Sequence, residues 1–141
     1  MNEVNALDRL FDGLASGDLD QSRAALAPDA RVWHAFDGIA HDRDAILASF
    51  ASLITAFSER RFEDIRRQPT PTGFVQQHVM AVKTADGRAL AWPVCVVVRI
   101  EAGVIVRLDE YLDRAGSFIP ADGPLLTPGF AEAKAEQGHD R

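Results

Sequence analysis

The sequence is poor in cysteine, in basic residues and in long apolar runs, and each shortage removes a class of protein. Its 141 residues hold one cysteine, Cys95. No intrachain disulfide can form, and a reducing compartment fits best. Lys and Arg number 15 against 21 Asp and Glu, a formal charge of -6. That balance argues against nucleic acid and anionic membrane as partners. The only basic pairs, Arg60-Arg61 and Arg66-Arg67, read as a solvated strand face. No apolar run reaches the roughly 18 residues of a membrane span. The N-terminal MNEVNALDRLFDG is acidic and amphipathic, without the basic and apolar regions of a secretory signal, so the cytoplasm is the expected location. Glycine-rich phosphate loops, G-x-G-x-x-G and G-x-S-x-G are missing. So are H-x-x-x-H and C-x-x-C spacings. Neither an organic cofactor nor a metal is expected.

What remains is an ordinary soluble composition, 47% apolar and 26% charged, on one domain long enough for a sizeable core. The chain is organised around Arg88 to Asp113. Pro93 to Ile100 is almost wholly apolar, Val104 to Tyr111 alternates more weakly, and Ala102-Gly103 supplies the turn between them. A strand that apolar is expected to be covered on both faces. The second strand brings Asp109, Glu110 and Asp113 into this setting, where an unpaired buried carboxylate is costly.

Upstream, Val4, Leu7, Leu10, Phe11 and Leu14 mark a helix over about residues 3 to 16, stopped by Gly17. Asp18 caps a short second helix that ends at Pro28. Ala30 to Phe36 reads as a strand, closed by Asp37-Gly38. Asp42 caps the longest helix, about Arg43 to Phe57, with Ile46, Leu47, Phe50, Leu53, Ile54 and Phe57 on its buried face. Strands near Arg61 to Gln68 and Phe74 to Thr84 follow, separated by Pro69, Pro71 and Gly73. A core of about residues 3–115 precedes a loose tail, 116–141. Within the tail Leu125-Leu126 are read as docked, 130–137 as a short helix and 138–141 as frayed. Helices grouped before an antiparallel meander give an α+β domain, with a pocket between helix and sheet.

Three segments carry a family resemblance. They are Ala27 to His34 (APDARVWH), Asp37-Gly38 with Asp42 to Ile46 behind it, and Gly103 to Asp113 (GVIVRLDEYLD). Together they resemble the SnoaL-like and ketosteroid-isomerase-like proteins of the nuclear transport factor 2-like superfamily. The resemblance implies a cone-shaped α+β barrel, its curved antiparallel sheet wrapped around a long helix. It also implies a cofactor-independent isomerase, cyclase or hydrolase, or else a non-catalytic ligand-binding or dimerisation domain, since one fold carries many functions. His34 aligns with the general-base carboxylate of the isomerases, and Glu110 with a catalytic aspartate of limonene-epoxide-hydrolase-like members. Cys95 replaces the isomerases' oxyanion-binding acid. Val79 and Ala81 stand where the hydrolases carry an Arg-x-Asp pair. Neither chemistry in its known form finds its residues here.

His34 and Glu110 are therefore the candidate catalytic pair. An imidazole beside a carboxylate can move a proton near neutral pH, or merely satisfy two buried polar groups. Val32, Phe36, Phe50, Val79, Cys95, Leu108 and Leu112 are the expected ligand-lining residues, and the expected ligand is a small hydrophobic molecule. Alternation puts Val106, Leu108, Glu110 and Leu112 on one face. It leaves either face of Ala30 to Phe36 internal, and the resemblance favours His34 inside. A bulge near Leu108 would exchange Glu110 for Asp109. His78 is expected on the face away from the cavity, His41 in a loop and His139 in the tail. Trp92, Val94, Val96, Val98 and Ile100, joined by Trp33 and Met80, are expected to form an apolar outer face through which the chain homodimerises.

Overall fold

The first helix, α1 (Glu3–Ser16), buries Ala6, Leu7, Leu10, Phe11 and Leu14, the stripe its periodicity marks. The computed structural model describes residues 3–120, with side chains from Ala6 onward. The side chain of Val4, His139 and every feature expected beyond residue 120 lie outside the described residues. Gly17 ends α1 at φ +83°, and Asp18 N–H reaches back to the Gly13 carbonyl at 2.8 Å. This is the Schellman closure that a glycine permits. Asp18 then caps α2 (Leu19–Ala25) by accepting from Gln21 N. Gly13 lies at the crossing of the two helices, where an added Cβ would stand 2.3 Å from Ser22 Oγ.

The strands are β1 (Leu26–His34), β2 (Ile39–His41), β3 (Phe57–Thr70), β4 (Gly73–Thr84), β5 (Ala89–Glu101) and β6 (Val104–Tyr111), with α3 (Arg43–Ala56) between β2 and β3. They form one sheet in the order β2-β1-β6-β5-β4-β3. The meander from β3 to β6 is antiparallel, while β1 lies parallel to β6. That pairing sets Val32 against Leu108 and His34 against Glu110. The Ala102-Gly103 turn carries positive φ at both residues, 52° and 79°, the geometry whose twist matches a hairpin. The helices cover one face of the curved sheet, and α1, α2, α3, β1, β5 and β6 all contribute to the main core. Among the described residues, no helix is long and apolar enough to cross a membrane.

Two expectations are reversed. Val94, Val96, Val98 and Ile100 are buried in the main core, with Trp92 and Met80 packed on it, so they face the helices rather than a second subunit. Pro93, Val97 and Arg99 are exposed, so the outer face of β5 is left largely open from Pro93 on. The register explains the exchange. Val96 pairs with Glu110 and Val98 with Leu108, and directly paired residues share a face. Carried across to β4, the same rule turns Gln76, His78 and Met80 inward with Val96, Val94 and Trp92. The start of the expected loose tail is also tied down. Phe118 exchanges two 2.9 Å backbone hydrogen bonds with Ala91 and covers a small outer cluster of Val79, Ala81 and Ala91.

Arg60 is not part of a solvated face either. Neither α1 nor α3 carries a basic residue in its last turn. The Arg60 guanidinium donates instead to Leu14 O at 2.7 Å and Ala15 O at 3.2 Å on α1. It also donates to Phe57 O at 2.6 Å and Ile54 O at 3.4 Å at the end of α3. One side chain of β3 thus satisfies the free carbonyls of two helix ends. Arg60→Ala should lower the unfolding free energy by about 3 kcal/mol, since several charge-assisted bonds go at once. Arg60→Lys should recover less than half of that, because an ammonium cannot reproduce the fork. Urea denaturation followed by circular dichroism checks both, and a change within about 0.5 kcal/mol would mark an ordinary surface arginine.

Candidate active site

Between α1, α3 and the concave face of the sheet lies a cavity of about 350 Å³, the size of a small-ligand site. Most of its wall is hydrocarbon, from Leu10, Phe11 and Leu14 on α1, Ile46, Phe50 and Leu53 on α3, and Val94 and Leu108 on the sheet. Of the α3 side chains that the helix period marks, Phe50 and Leu53 stay partly accessible and line it together with the buried Ile46. Its polar groups are few: His34, Ser49, His78, Glu110 and Arg114, with the indole of Trp92. That indole N–H is already engaged with Arg114 O at 3.0 Å.

Of the expected site residues, His34, Glu110, Val32, Phe36, Phe50, Leu108 and Leu112 line this cavity. Glu110, not Asp109, turns in, and Asp109 is paired with Arg107 at 2.7 Å. Val79 and Cys95 do not line it. They pair with Pro93 and Gln77, on the outward row of their strands. The expectation failed because it set β4 and β5 one residue out of phase with β6, and such a slip reverses a whole face. His78, expected outside, lines the cavity for the same reason.

His34 Nε2 stands 3.4 Å from Glu110 Oε1, long for a strong hydrogen bond. Desolvation therefore governs both groups. Burial pushes the Glu110 carboxyl up to about 7. Burial also lowers the His34 pKa, against the raising effect of the Asp37 charge and with a further lowering by His41. Near neutral pH the imidazole is uncharged and the carboxyl is poised between its two forms, as a proton-transfer group requires. His34 stacks on Phe36 with ring centroids 4.8 Å apart, and its Nδ1 is buried without a hydrogen-bond partner among the described residues. Arg114 lies over the other part of this wall, 4.8 Å from the Phe36 ring centroid.

His34, Asp37 and His41 place one donor atom each within 4.8 Å of one another. The sequence offers no familiar metal spacing here, because the β1–β2 turn does the gathering. The spread is looser than the roughly 3.4 Å separations of a tetrahedral shell with about 2.1 Å bonds. Asp37 is already committed to His41 Nε2 at 2.9 Å and to Ile39 N at 2.9 Å. The hydrogen bond from His41 holds the Asp37 carboxyl below its usual range. The cluster reads as a fixed carboxylate beside the site more readily than as a cation cage.

The sequence profile of the SnoaL-like domain matches residues 7–108. The chain belongs to the SnoaL-like family. Solved structures agree on the fold. A nuclear transport factor 2-like protein of unknown function from Burkholderia pseudomallei aligns at a TM-score of 0.68 and 24% identity, over 82% of this chain and 93% of that one. IdmH of Streptomyces antibioticus, a candidate polyketide cyclase, aligns at 0.69 and 20% identity, over 82% and 94%. An LEH-like epoxide hydrolase of M. tuberculosis aligns at 0.67 and 14% identity, over 99% and 96%. No protein of curated function matches the sequence.

The buried titratable groups leave a signature in stability. Glu110 is raised from 4.5 to about 7, so its contribution favours folding below pH 4.5 and is lost as pH rises toward 7. His78 is depressed from 6.5 to about 4, by burial first and by the Arg67 charge second. Its contribution is full above pH 6.5 and lost as pH falls toward 4, and His34 adds to the same side. The opposing slopes largely cancel in the native sequence. Glu110→Gln removes one of them, and its stability should rise with pH between 5 and 6.5 by roughly 1 kcal/mol per pH unit relative to the native chain. Urea midpoints at the two pH values measure this. A variant that tracks the native chain at both would show that Glu110 titrates freely in the folded state.

Proposed function

We propose that this SnoaL-like protein binds a small hydrophobic molecule in its cavity and moves a proton on it without an organic cofactor or metal, as an isomerase, cyclase or hydrolase does. The observation that carries the reading is the meeting of His34 and Glu110 at 3.4 Å on the cavity wall. A carboxyl held near neutrality by an apolar surround takes or gives a proton at modest cost. His34 keeps the imidazole face of the pair, stacked and oriented by Phe36. The cavity is nearly all hydrocarbon, which favours an apolar body with few polar atoms. The fold's neighbours bearing the names of a cyclase and a hydrolase are consistent with proton-transfer chemistry on this scaffold.

The test is proton exchange. Apolar ketones are incubated with the protein in heavy water, and deuterium uptake beside the carbonyl is followed by mass spectrometry. Glu110→Gln and His34→Gln should each slow exchange by roughly 100-fold or more, and the native rate should rise with pH through an apparent pKa near 7. A ligand that binds normally while neither variant changes any exchange rate would favour a non-catalytic binding domain of the same fold.

The homodimer reading moves to the other row of the sheet. There Val97 and Tyr111 are 39% and 49% exposed, and Trp33 packs edge-on to Tyr111 at 5.5 Å. A second copy seated over Val97 and Tyr111 buries this patch. Light scattering on a size-exclusion column should then give twice the chain mass, falling to the monomer in Val97→Asp. A monomeric native chain at micromolar concentration would end this reading.

A further inference from the structure

Among the polar residues of the cavity that the His34–Glu110 pair does not use, His78 is the one on β4. His78 is buried, on the inward row of β4, with Phe11 and Phe62 edge-on to its ring at 5.0 and 5.4 Å. Its Nδ1 meets Gln76 Nε2 at 2.9 Å, and Gln76 is itself fully buried. Gln76 Oε1 accepts from Arg67 Nε, and Arg67 is fixed in turn by Asp8.

This string has only one consistent assignment of hydrogens. A guanidinium can only donate, so the amide oxygen of Gln76 must face Arg67. The amide nitrogen must then face His78, and it too can only donate. Nδ1 of His78 is therefore the bare, accepting nitrogen, and the proton of the neutral ring sits on Nε2. Protonating Nδ1 would set two donors against each other. Burial and the Arg67 charge, which depress the His78 pKa, point the same way. Nε2–H has no hydrogen-bond partner among the described residues, and His78 is one of the residues that line the cavity. Asp8, Arg67 and Gln76 thus make His78 a donor that cannot become an acceptor.

We propose that His78 Nε2–H receives an acceptor oxygen of the bound molecule, so that the ligand is an apolar compound bearing a carbonyl. This rests on the cavity being a ligand site, as proposed above. His78 and Glu110 flank β5, against Val94 and Val96. Two strand spacings and a two-residue step put their backbones roughly 12 Å apart. One small molecule spans that distance, with its carbonyl at the β4 end and the atom handled by Glu110 at the other. A carbonyl oxygen only accepts and is satisfied by Nε2–H alone, whereas a hydroxyl accepting there would still have its own O–H to place against the Phe11 and Phe62 rings, and an ammonium would set donor against donor. The site therefore discriminates between carbonyl oxygens and plain hydrocarbon or donor-only groups.

Matched ligands test this. Binding of 1-tetralone and of tetralin is measured by displacement of a hydrophobic fluorophore, and the carbonyl stretch of carbon-13-labelled tetralone is read by infrared difference spectroscopy. In the native protein the stretch should move to lower frequency on binding. His78→Phe should abolish that shift and weaken tetralone roughly tenfold while leaving tetralin unchanged, and Glu110→Gln should preserve the shift. Nitrogen-15 NMR of the unliganded native protein, which needs no variant to fold, should show His78 neutral and protonated on Nε2. A proton on Nδ1, or tetralone bound with no carbonyl shift, overturns the assignment of His78 while the cavity reading stands. Failure of both molecules to bind defeats the cavity reading itself.

Discussion

Two helices of this fold end on one guanidinium. Neither α1 nor α3 has a basic side chain of its own in its last turn. Arg60 donates to Leu14 O and Ala15 O of α1, to Ile54 O of α3 and to Phe57 O at its C-cap, from 2.6 to 3.4 Å. The consequence is geometric. Both helices are fixed relative to β3 at their C-terminal ends by polar contacts rather than by side-chain packing alone, so the space between them and the sheet need not be filled. A cavity of about 350 Å³ in a small domain sacrifices dispersion contacts on every wall. Such a void survives where something other than packing holds its frame.

Burial is then the largest influence on the charge of three groups inside. It raises Glu110, lowers His34 and lowers His78. All three shifts favour the neutral form, as expected of a hydrocarbon-lined wall. The groups differ in what surrounds them. His78 is wired to Gln76 and Arg67 and keeps one fixed hydrogen-bonding role. His34 and Glu110 touch at a distance too long to lock either, and the Nδ1 of His34 has no partner among the described residues. One side of the cavity is rigid in its polarity, and the other can change protonation state. This division of labour suits a site that orients a molecule at one end and handles a proton at the other.

The sequence was legible where period and turn chemistry carried a phase. The stripe of α1, the capped start of α3 at Asp42 and the Ala102-Gly103 hairpin all stand where the residues place them. The weak alternation of β6 leaves open whether Glu110 or Asp109 faces inward, and its pairing with His34 and Val96 decides for Glu110. The phase of β5 was illegible. PVCVVV is apolar on both rows, so nothing within it says which row is inside, and only pairing with Glu110 and Leu108 decides. That one ambiguity carried Val79 and Cys95 inward and His78 outward in the reading, and all three moved together once the register was known. Arg60 and Arg67 were illegible for another reason. A basic strand looks solvated until the carbonyls and carboxylate that it meets, dozens of residues away, are in view.

The inward row of β5 also limits which chemistry this SnoaL-like chain can inherit from its relatives. Val94, Val96, Val98 and Ile100 offer no hydrogen bond to a ligand, and the indole of Trp92 is spent on Arg114. Cys95 faces away, so the strand on which the resemblance placed an oxyanion-binding acid supplies no donor at all. If a polar atom of a ligand is to be met on this side of the cavity, the next strand must meet it. There β4 carries His78 inward, opposite Val94. The fold keeps its shape through such an exchange, since burial of β5 and β4 depends on which row is apolar and not on which strand holds the polar exception. Substrate preference in this scaffold can therefore move between neighbouring strands at little structural cost, and the position of the donor says more about the ligand than the fold does.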